Sequence, residues 1–287
     1  MNLSMDDFVL IRDMLYERTG LMFEDKKLAF LQPRVARRVS TTGAASPRDY
    51  YRMLKYQDPG GREFQSLVEQ VTTNETYFFR EFPQLESFAN DALPKVAEAK
   101  RAARDYTLNV WSACCSTGDE PYTLATILSA CLDDFPKWKV RLLATDIDTA
   151  VLDTARAAEY GERNVKDVPP PYLKEYFTRT RAGYRVKEPV RKMVTFEHLN
   201  LMDKAGMRKQ KGFDFVFCRN VLIYFDDVSR KQVLGHFYDA LVPGGFVFLG
   251  HSESVGRISA AFEPVALGGG VMYRKPTVVR AVPGGTR

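Results

Sequence analysis

The sequence predicts an α/β protein: a doubly wound, mostly parallel sheet with an antiparallel edge strand, preceded by a small all-helical domain and carrying an inserted β-subdomain. Three observations predict this class. The first is a strand–loop–helix pattern in which the apolar run Leu108 to Ala113 gives way to Ser116, Thr117, Gly118 and Asp119, then to Pro121 at a helix start and to Leu124, Ile127, Leu128 and Leu132 at helical spacing. The second is the next strand, Val140 to Asp146, which completes a βαβ unit ending in an acid. The third is the helical periodicity of residues 1–72, which lack a strand pattern. A chain of 287 residues with 45% apolar content has room for one large domain and one small one.

Taken in order, Ser4 and Asp7 form a capping box for a helix whose Phe8, Ile11 and Leu15 share a face until Gly20. A second helix is expected from Asp25 to Ser40, with Leu28, Leu31, Val35 and Val39 on one stripe and Pro33 either kinking or restarting it. Lys26, Lys27, Arg34, Arg37, Arg38 and Arg48 occupy a stretch free of acids. It reads either as a solvated basic face or as a docking surface for an acidic helix or a phosphate backbone. Ser46-Pro47 opens a third helix through Tyr50, Tyr51 and Leu54, and Asp58-Pro-Gly-Gly61 separates it from a fourth through Phe64, Leu67, Val68 and Val71.

Thr72 to Arg80 is a polar knot running into Tyr77, Phe78 and Phe79; it reads either as a capped helix start with core aromatics or as part of a site. Beyond Asp146, a helix carries Val151, Leu152 and Ala155. Pro169-Pro-Pro171 and a hairpin pairing Tyr176–Thr180 with Tyr184–Lys187 then mark an inserted β-subdomain at about 161–192. Its surplus of basic residues makes it a second docking or solvated surface. The sheet resumes with Met193–Leu199 and Phe213–Cys218, whose ends bear Asn200 and Asn220. A helix from Ser229 to Leu241 leads through Pro243-Gly-Gly245 into strand Phe246 to Leu249. A last hairpin, Phe262–Ala266 with Val271–Arg274, closes the sheet with an antiparallel edge, and residues 277–287 are expected to be disordered.

Composition removes several function classes. Four cysteines, two of them adjacent, make no disulfide framework, so a reducing cytoplasm is the expected home. The N-terminus has no signal-peptide pattern, and no apolar run approaches the roughly 20 residues that span a bilayer. His198, His236 and His251 are not at metal-ligand spacing, so no metal is expected, and Cys218 reads as a buried structural thiol. A helix start at the first loop favours an anion, but Gly118 is the only glycine there, which disfavours a dinucleotide. That loop alone fits a plain connection as well as a ligand site. Asp146 tips the reading, because an acid at the second strand end suits ribose hydroxyls; S-adenosylmethionine, a nucleoside with a short carboxylate tail, matches both features.

Five segments then carry a resemblance: Thr73-Asn-Glu-Thr-Tyr-Phe-Phe-Arg80; Trp111-Ser-Ala113 with Ser116-Thr-Gly-Asp-Glu-Pro-Tyr122; Ala144-Thr-Asp-Ile-Asp148; Phe217-Cys-Arg-Asn-Val-Leu-Ile-Tyr-Phe-Asp226; and Gly250-His-Ser-Glu253. In this order, over nearly the whole chain, they resemble the CheR-type chemotaxis-receptor glutamate O-methyltransferases. What the resemblance implies is a class I S-adenosylmethionine-dependent methyltransferase that esterifies glutamates on the methylation helices of chemoreceptors, leaving S-adenosylhomocysteine.

Carried over residue by residue, it implies cofactor contacts at Asn74, Thr76, Arg80, Glu120, Asp146, Asn200, Leu201, Asn220 and Val221. It also implies catalytic positions at Arg80 and Tyr224, and receptor docking through Arg34, Arg37 and Arg38. The loop Arg179-Thr-Arg-Ala-Gly183 is shorter than in members that grip a receptor's C-terminal peptide, so action without such a tether is expected. No nucleic-acid partner is expected, since the fourth strand ends in Cys-Arg-Asn-Val and lacks the Asn/Asp-Pro-Pro-aromatic box of base-amino methylation, and nothing demands more than a monomer. The chemistry agrees: a glutamate of ordinary pKa about 4.3 is already an ionised nucleophile and needs no general base. A non-catalytic cofactor-binding adaptor and, less favoured, a nucleic-acid methyltransferase are the alternatives.

Overall fold

A computed structural model describes residues 2–254, 261–268 and 270–277. The tail beyond Thr277, expected to be disordered, lies outside them. In the N-terminal part the expected helices are α1 (Met5–Thr19), α2 (Leu28–Thr42), α3 (Pro47–Tyr56) and α4 (Arg62–Val71). Ser4 caps α1 by accepting the Asp7 N–H at 3.2 Å while its hydroxyl donates to the Asp7 carboxylate, and Gly20 at φ 74° ends it. Pro33 does not restart α2. A 3₁₀ turn, Asp25–Lys27, precedes the helix, which then runs through Pro33 and forfeits only the bond that residue would have made to the Ala29 carbonyl. Phe8, Ile11, Leu31, Val35, Tyr50, Leu67 and Val68 form a core distinct from that of the sheet.

The polar knot does not begin a helix. It is coil to Tyr77 and a turn through Glu81, and only then do α5 (Phe82–Ser87), a π-helical turn Phe88–Ala92 and α6 (Leu93–Ala102) follow. Phe78 and Phe79 are core residues, whereas Tyr77 is half-buried. Phe78 meets the rings of Tyr160 and Phe177 edge-on, with centroids 4.8 and 5.0 Å away.

The strands are β1 (Thr107–Ala113), β2 (Lys139–Asp146), β3 (Glu159–Tyr160), β4 (Phe177–Thr180), β5 (Gly183–Val186), β6 (Val194–His198), β7 (Phe213–Cys218), β8 (Leu241–Leu249), β9 (Glu263–Leu267) and β10 (Gly270–Arg274). A seven-stranded sheet has the order β6-β2-β1-β7-β8-β10-β9, parallel from β6 to β8, with β10 antiparallel to both neighbours. The order reverses at β1, and ligands of doubly wound sheets bind at that switch point, beyond the carboxyl ends of the strands. All residues of β7 are buried, as befits a strand covered on both faces, and its one acid, Asp214, is met by Lys100 at 3.0 Å and the Asn109 N–H at 2.8 Å. The insertion forms a separate β3-β5-β4 sheet whose hairpin pairs Phe177 with Val186 and Thr180 with Gly183.

Between β1 and β2 lies α7 (Asp119–Cys131), which begins two residues before Pro121, and α8 (Thr149–Ala157) follows β2. Gly118 sits at φ 90°, and a Cβ there would lie 2.8 Å from Ala155 Cβ and 2.9 Å from Tyr160 Oη. The requirement for glycine here is therefore steric, set by the close approach of α8 and Tyr160. Gly118→Ala is expected to destabilise the protein by about 2–4 kcal/mol, from the left-handed backbone plus overpacking, read as a lower urea midpoint at unchanged slope.

Candidate active site

The register places Ala113 beside Thr145 and Asp146 beside His198, so β1, β2 and β6 end together at one crevice, with the end of β7 alongside. The link after α1 and the Thr72–Arg80 segment roof it. Asn74, Thr76, Arg80, Glu120, Asp146, Asn200, Leu201, Asn220, Val221 and Tyr224 all line this crevice, which therefore gathers every residue expected at the cofactor and the methyl group. The roof is tied down at several points. Met22 N–H donates to the Tyr224 carbonyl at 2.9 Å, Leu21 bridges Phe225, and Tyr16 donates to Asp226 at 2.7 Å. Asn200 donates to the Arg18 carbonyl at 2.6 Å, so its side chain holds the roof.

Asp146 is 5% exposed, and each carboxylate oxygen already accepts one backbone N–H: Oδ2 from Ser116 at 2.8 Å and Oδ1 from Asp148 at 2.9 Å. Burial outweighs these bonds and pushes its pKa up to about 6. Each oxygen keeps a lone pair, which suits a pair of vicinal hydroxyls. Asp148 caps α8 through Ala150 N–H at 2.9 Å and accepts from Asn74 at 2.7 Å and Thr72 at 3.0 Å, thereby binding the knot to the second strand end. The Asn74 side chain is thus used within the wall.

At the start of α7, Asp119 is fully buried and accepts from Thr117 at 2.6 Å and Asn164 at 2.9 Å, and the N-cap Gly118 supplies no capping side chain. From this turn Cys114, Cys115, Ser116 and Glu120 line the crevice. Glu120 accepts from Ser112 at 2.7 Å and from Arg219 at 3.3 Å; burial nevertheless raises its pKa. Arg219 also reaches Glu81 at 3.3 Å and the Arg80 carbonyl. For Glu81, burial raises the pKa, but Asn220 and Arg219 together prevail and the carboxyl lies below its ordinary value. Arg219 is thus the cation that these two carboxylates share.

Arg80 reaches the crevice from the knot and Tyr224 from the turn after β7. The Arg80 guanidinium donates to the Glu75 carbonyl at 2.7 Å and lies 5.8 Å from the Tyr77 ring centroid. Tyr224 is 37% exposed at the end of a 3₁₀ turn, Leu222–Tyr224. Phe79 at φ 59° and Glu81 at φ 56° flank Arg80, and Asn220 sits at φ 60°; for non-glycine residues each such conformation costs about 1–3 kcal/mol. Of the expected docking arginines, Arg38 is bound by both oxygens of Glu63, and Arg34 donates to the Gln70 carbonyl at 2.9 Å and the Phe30 carbonyl at 2.6 Å. Arg37 alone among the three is exposed.

Arg219, Glu81, Asp148 and Glu253 were not singled out as site residues. Their signals were present but of the wrong kind: a strand-end arginine, an acid after the knot, an Asp-x-Asp at a helix start and an acid in Gly-His-Ser-Glu are legible as polar punctuation, and only the fold brings them together. Among the described residues no group of His, Cys, Asp and Glu is placed to hold a metal, and no helix is long and apolar enough to cross a membrane. Hydrogen bonding with Cys114 and burial push the Cys218 thiol well up, as for a structural cysteine.

Strand order, crevice and acid at the second strand end define a class I S-adenosylmethionine-dependent methyltransferase with a helical domain across its mouth. Residues 6–72 match the CheR methyltransferase all-alpha domain and residues 74–269 the CheR methyltransferase SAM-binding domain. The chain belongs to the CheR methyltransferase family. It is 38% identical to chemotaxis protein methyltransferase 2 of Vibrio cholerae serotype O1, covering 94% of this chain and 93% of that one. To the chemotaxis protein methyltransferase of Escherichia coli K12 it is 35% identical over 91% of this chain and 88% of that one. Chemotaxis protein methyltransferase 1 of Pseudomonas aeruginosa is 34% identical, covering 93% and 97%. Methyl transfer from S-adenosylmethionine in chemotaxis is accordingly the activity of this chain.

Proposed function

We propose that the acceptors are glutamate side chains on chemoreceptor methylation helices and that the product is the glutamyl methyl ester. The observation that carries this reading is that Arg80 and Tyr224 line one crevice in which, among the described residues, no Ser-His-Asp or Cys-His pair stands beside them. Such a site suits a nucleophile that arrives ionised. When bound, S-adenosylmethionine supplies an electrophilic methyl group on a sulfonium. Asp146 holds the ribose hydroxyls, and the walls exclude water. Arg80 steers the acceptor carboxylate, and Tyr224 donates a hydrogen bond that fixes its approach without quenching it, so the rate arises from placement and desolvation.

The acceptor helix docks on α2, with Arg37 as its charged contact, while Arg34 and Arg38 shape that face from within. Arg37→Glu should raise KM for receptor about tenfold at unchanged kcat, the pattern of lost uniform binding. No receptor-tail tether is used, and a specific affinity for receptor C-terminal peptides would contradict that. The acceptor itself is tested by incubating the protein with labelled cofactor and a receptor cytoplasmic fragment and mapping the label by mass spectrometry. Label on glutamate side chains is expected. Tight cofactor binding with no label on a competent fragment would favour an adaptor instead, and label on RNA or DNA a nucleic-acid enzyme.

A further inference from the structure

We propose that Glu81 is a positioning residue, a half-buried clamp that through Asn220 and Arg219 sets the spacing between Arg80 and Tyr224. The inference rests on the acceptor reading above for its kinetic arm only. Glu81 is not among the residues lining the crevice, so it acts through others. Arg80 stands on a turn flanked by two left-handed residues, Phe79 and Glu81, and such a turn keeps its shape only if its surroundings over-determine it.

The structure supplies that determination from one side. Glu81 Oε1 accepts from Asn220 Nδ2 at 2.9 Å, Oε2 accepts from Arg219 Nη2 at 3.3 Å, and the same guanidinium grips the Arg80 carbonyl. Phe79 is held separately, its N–H donating to Thr123 Oγ1 at 3.2 Å. The clamp then continues toward Tyr224. Asn220, itself left-handed, donates its N–H to Glu253 Oε2 at 3.0 Å, and that oxygen also takes the Gly250 N–H at 2.6 Å. Glu253 Oε1 takes the N–H of Ile223, the neighbour of Tyr224, at 3.2 Å.

Space for anything else is lacking. A Cβ on Gly250 would lie 2.7 Å from the Asn220 nitrogen and 2.8 Å from Glu253 Oε2. Arg80 and Tyr224 belong to distant parts of the chain, and Glu81–Asn220–Glu253 is a hydrogen-bonded route from one to the other. Geometry set in this way governs the reaction because a displacement of about 1 Å in a reacting constellation costs about 100-fold in rate.

Glu81→Gln keeps the size and an acceptor for Asn220 but turns an NH₂ toward Arg219. Its kcat with receptor fragment should fall about 10–100-fold, while its Kd for S-adenosylhomocysteine by calorimetry stays as in the wild type and its melting transition stays cooperative, lower by only about 2–4 °C from the lost Glu81 charge. Amide hydrogen exchange should quicken together in residues 78–82 and 220–225. Asn220→Gly, which retains the positive φ, should show the same paired quickening and serves if Glu81→Gln does not fold. Wild-type kcat in Glu81→Gln, a Kd weakened in proportion to kcat, or quickening confined to one segment would each overturn the clamp. Absence of transfer by the wild-type protein would instead overturn the acceptor reading, and the exchange measurement would still decide the clamp.

Discussion

Asp146→Asn is expected to weaken binding of S-adenosylmethionine and S-adenosylhomocysteine about 100-fold or more, corresponding to about 3 kcal/mol for the loss of two charge-assisted hydrogen bonds. The carboxylate is buried with one backbone N–H on each oxygen, so an amide at this position must also turn its NH₂ toward one of those donors. In wild type the same group makes binding pH-dependent. Its pKa lies at about 6, above the ordinary 3.8, so the favourable contribution of its protonated form to folding is complete below 3.8 and is lost as pH rises through about 6.

Ionised Asp146 thus burdens the free protein at pH 7 by up to about 3 kcal/mol, and a diol that needs the ionised form relieves this on binding. The rise in Tm produced by S-adenosylhomocysteine should therefore shrink as pH is lowered from 7.5 to 5 in wild type. It should be small and flat in Asp146→Asn. A ligand-induced shift independent of pH in wild type would contradict the assignment.

Arg219→Met is expected to be the most destabilising single change at the site, costing up to about 3–5 kcal/mol, because it removes the cation shared by two partly buried carboxylates and leaves their charges uncompensated. Glu120 already lies above its ordinary pKa, and Glu81 lies below its own partly because of Arg219. Without the guanidinium both shift upward. The stability gap between wild type and variant, read by urea unfolding, should therefore narrow as pH falls and the stranded carboxylates take up protons. For Glu81 in wild type the sign is opposite: its depressed pKa contributes stability above about 4.5 that is lost as pH falls through the lower folded value. Arg219→Lys retains the charge but not the fork, and should recover part of the stability.

Much of this was legible in the sequence because it is carried by local pattern. The capping box at Ser4, the Ser46-Pro47 helix start, the acid ending β2 and the hairpin around Gly183 are each set by neighbours in the chain, and each stands as read. Misreadings arose where tertiary contacts override local preference. Thr72–Arg80 has the composition of a capped helix start, but Asp148, Asn164 and Thr123 take its polar groups and hold it in coil. Arg34 and Arg38 look solvated on a basic stripe, yet the Gln70 carbonyl and Glu63 of α4 claim them. Glu81 and Arg219 could not be paired from sequence, since only the β1–β7 neighbourhood brings the end of one strand against the knot.

The measurement that tests the central claim most directly is release of methanol. The protein is incubated with cofactor tritiated in the methyl group and with receptor-bearing membranes, and the washed receptors are treated with mild base. Glutamyl methyl esters predict volatile label, absent when Asp146→Asn is assayed at the same cofactor concentration. Label that stays on the receptor through base, as an N-methyl group would, contradicts the account.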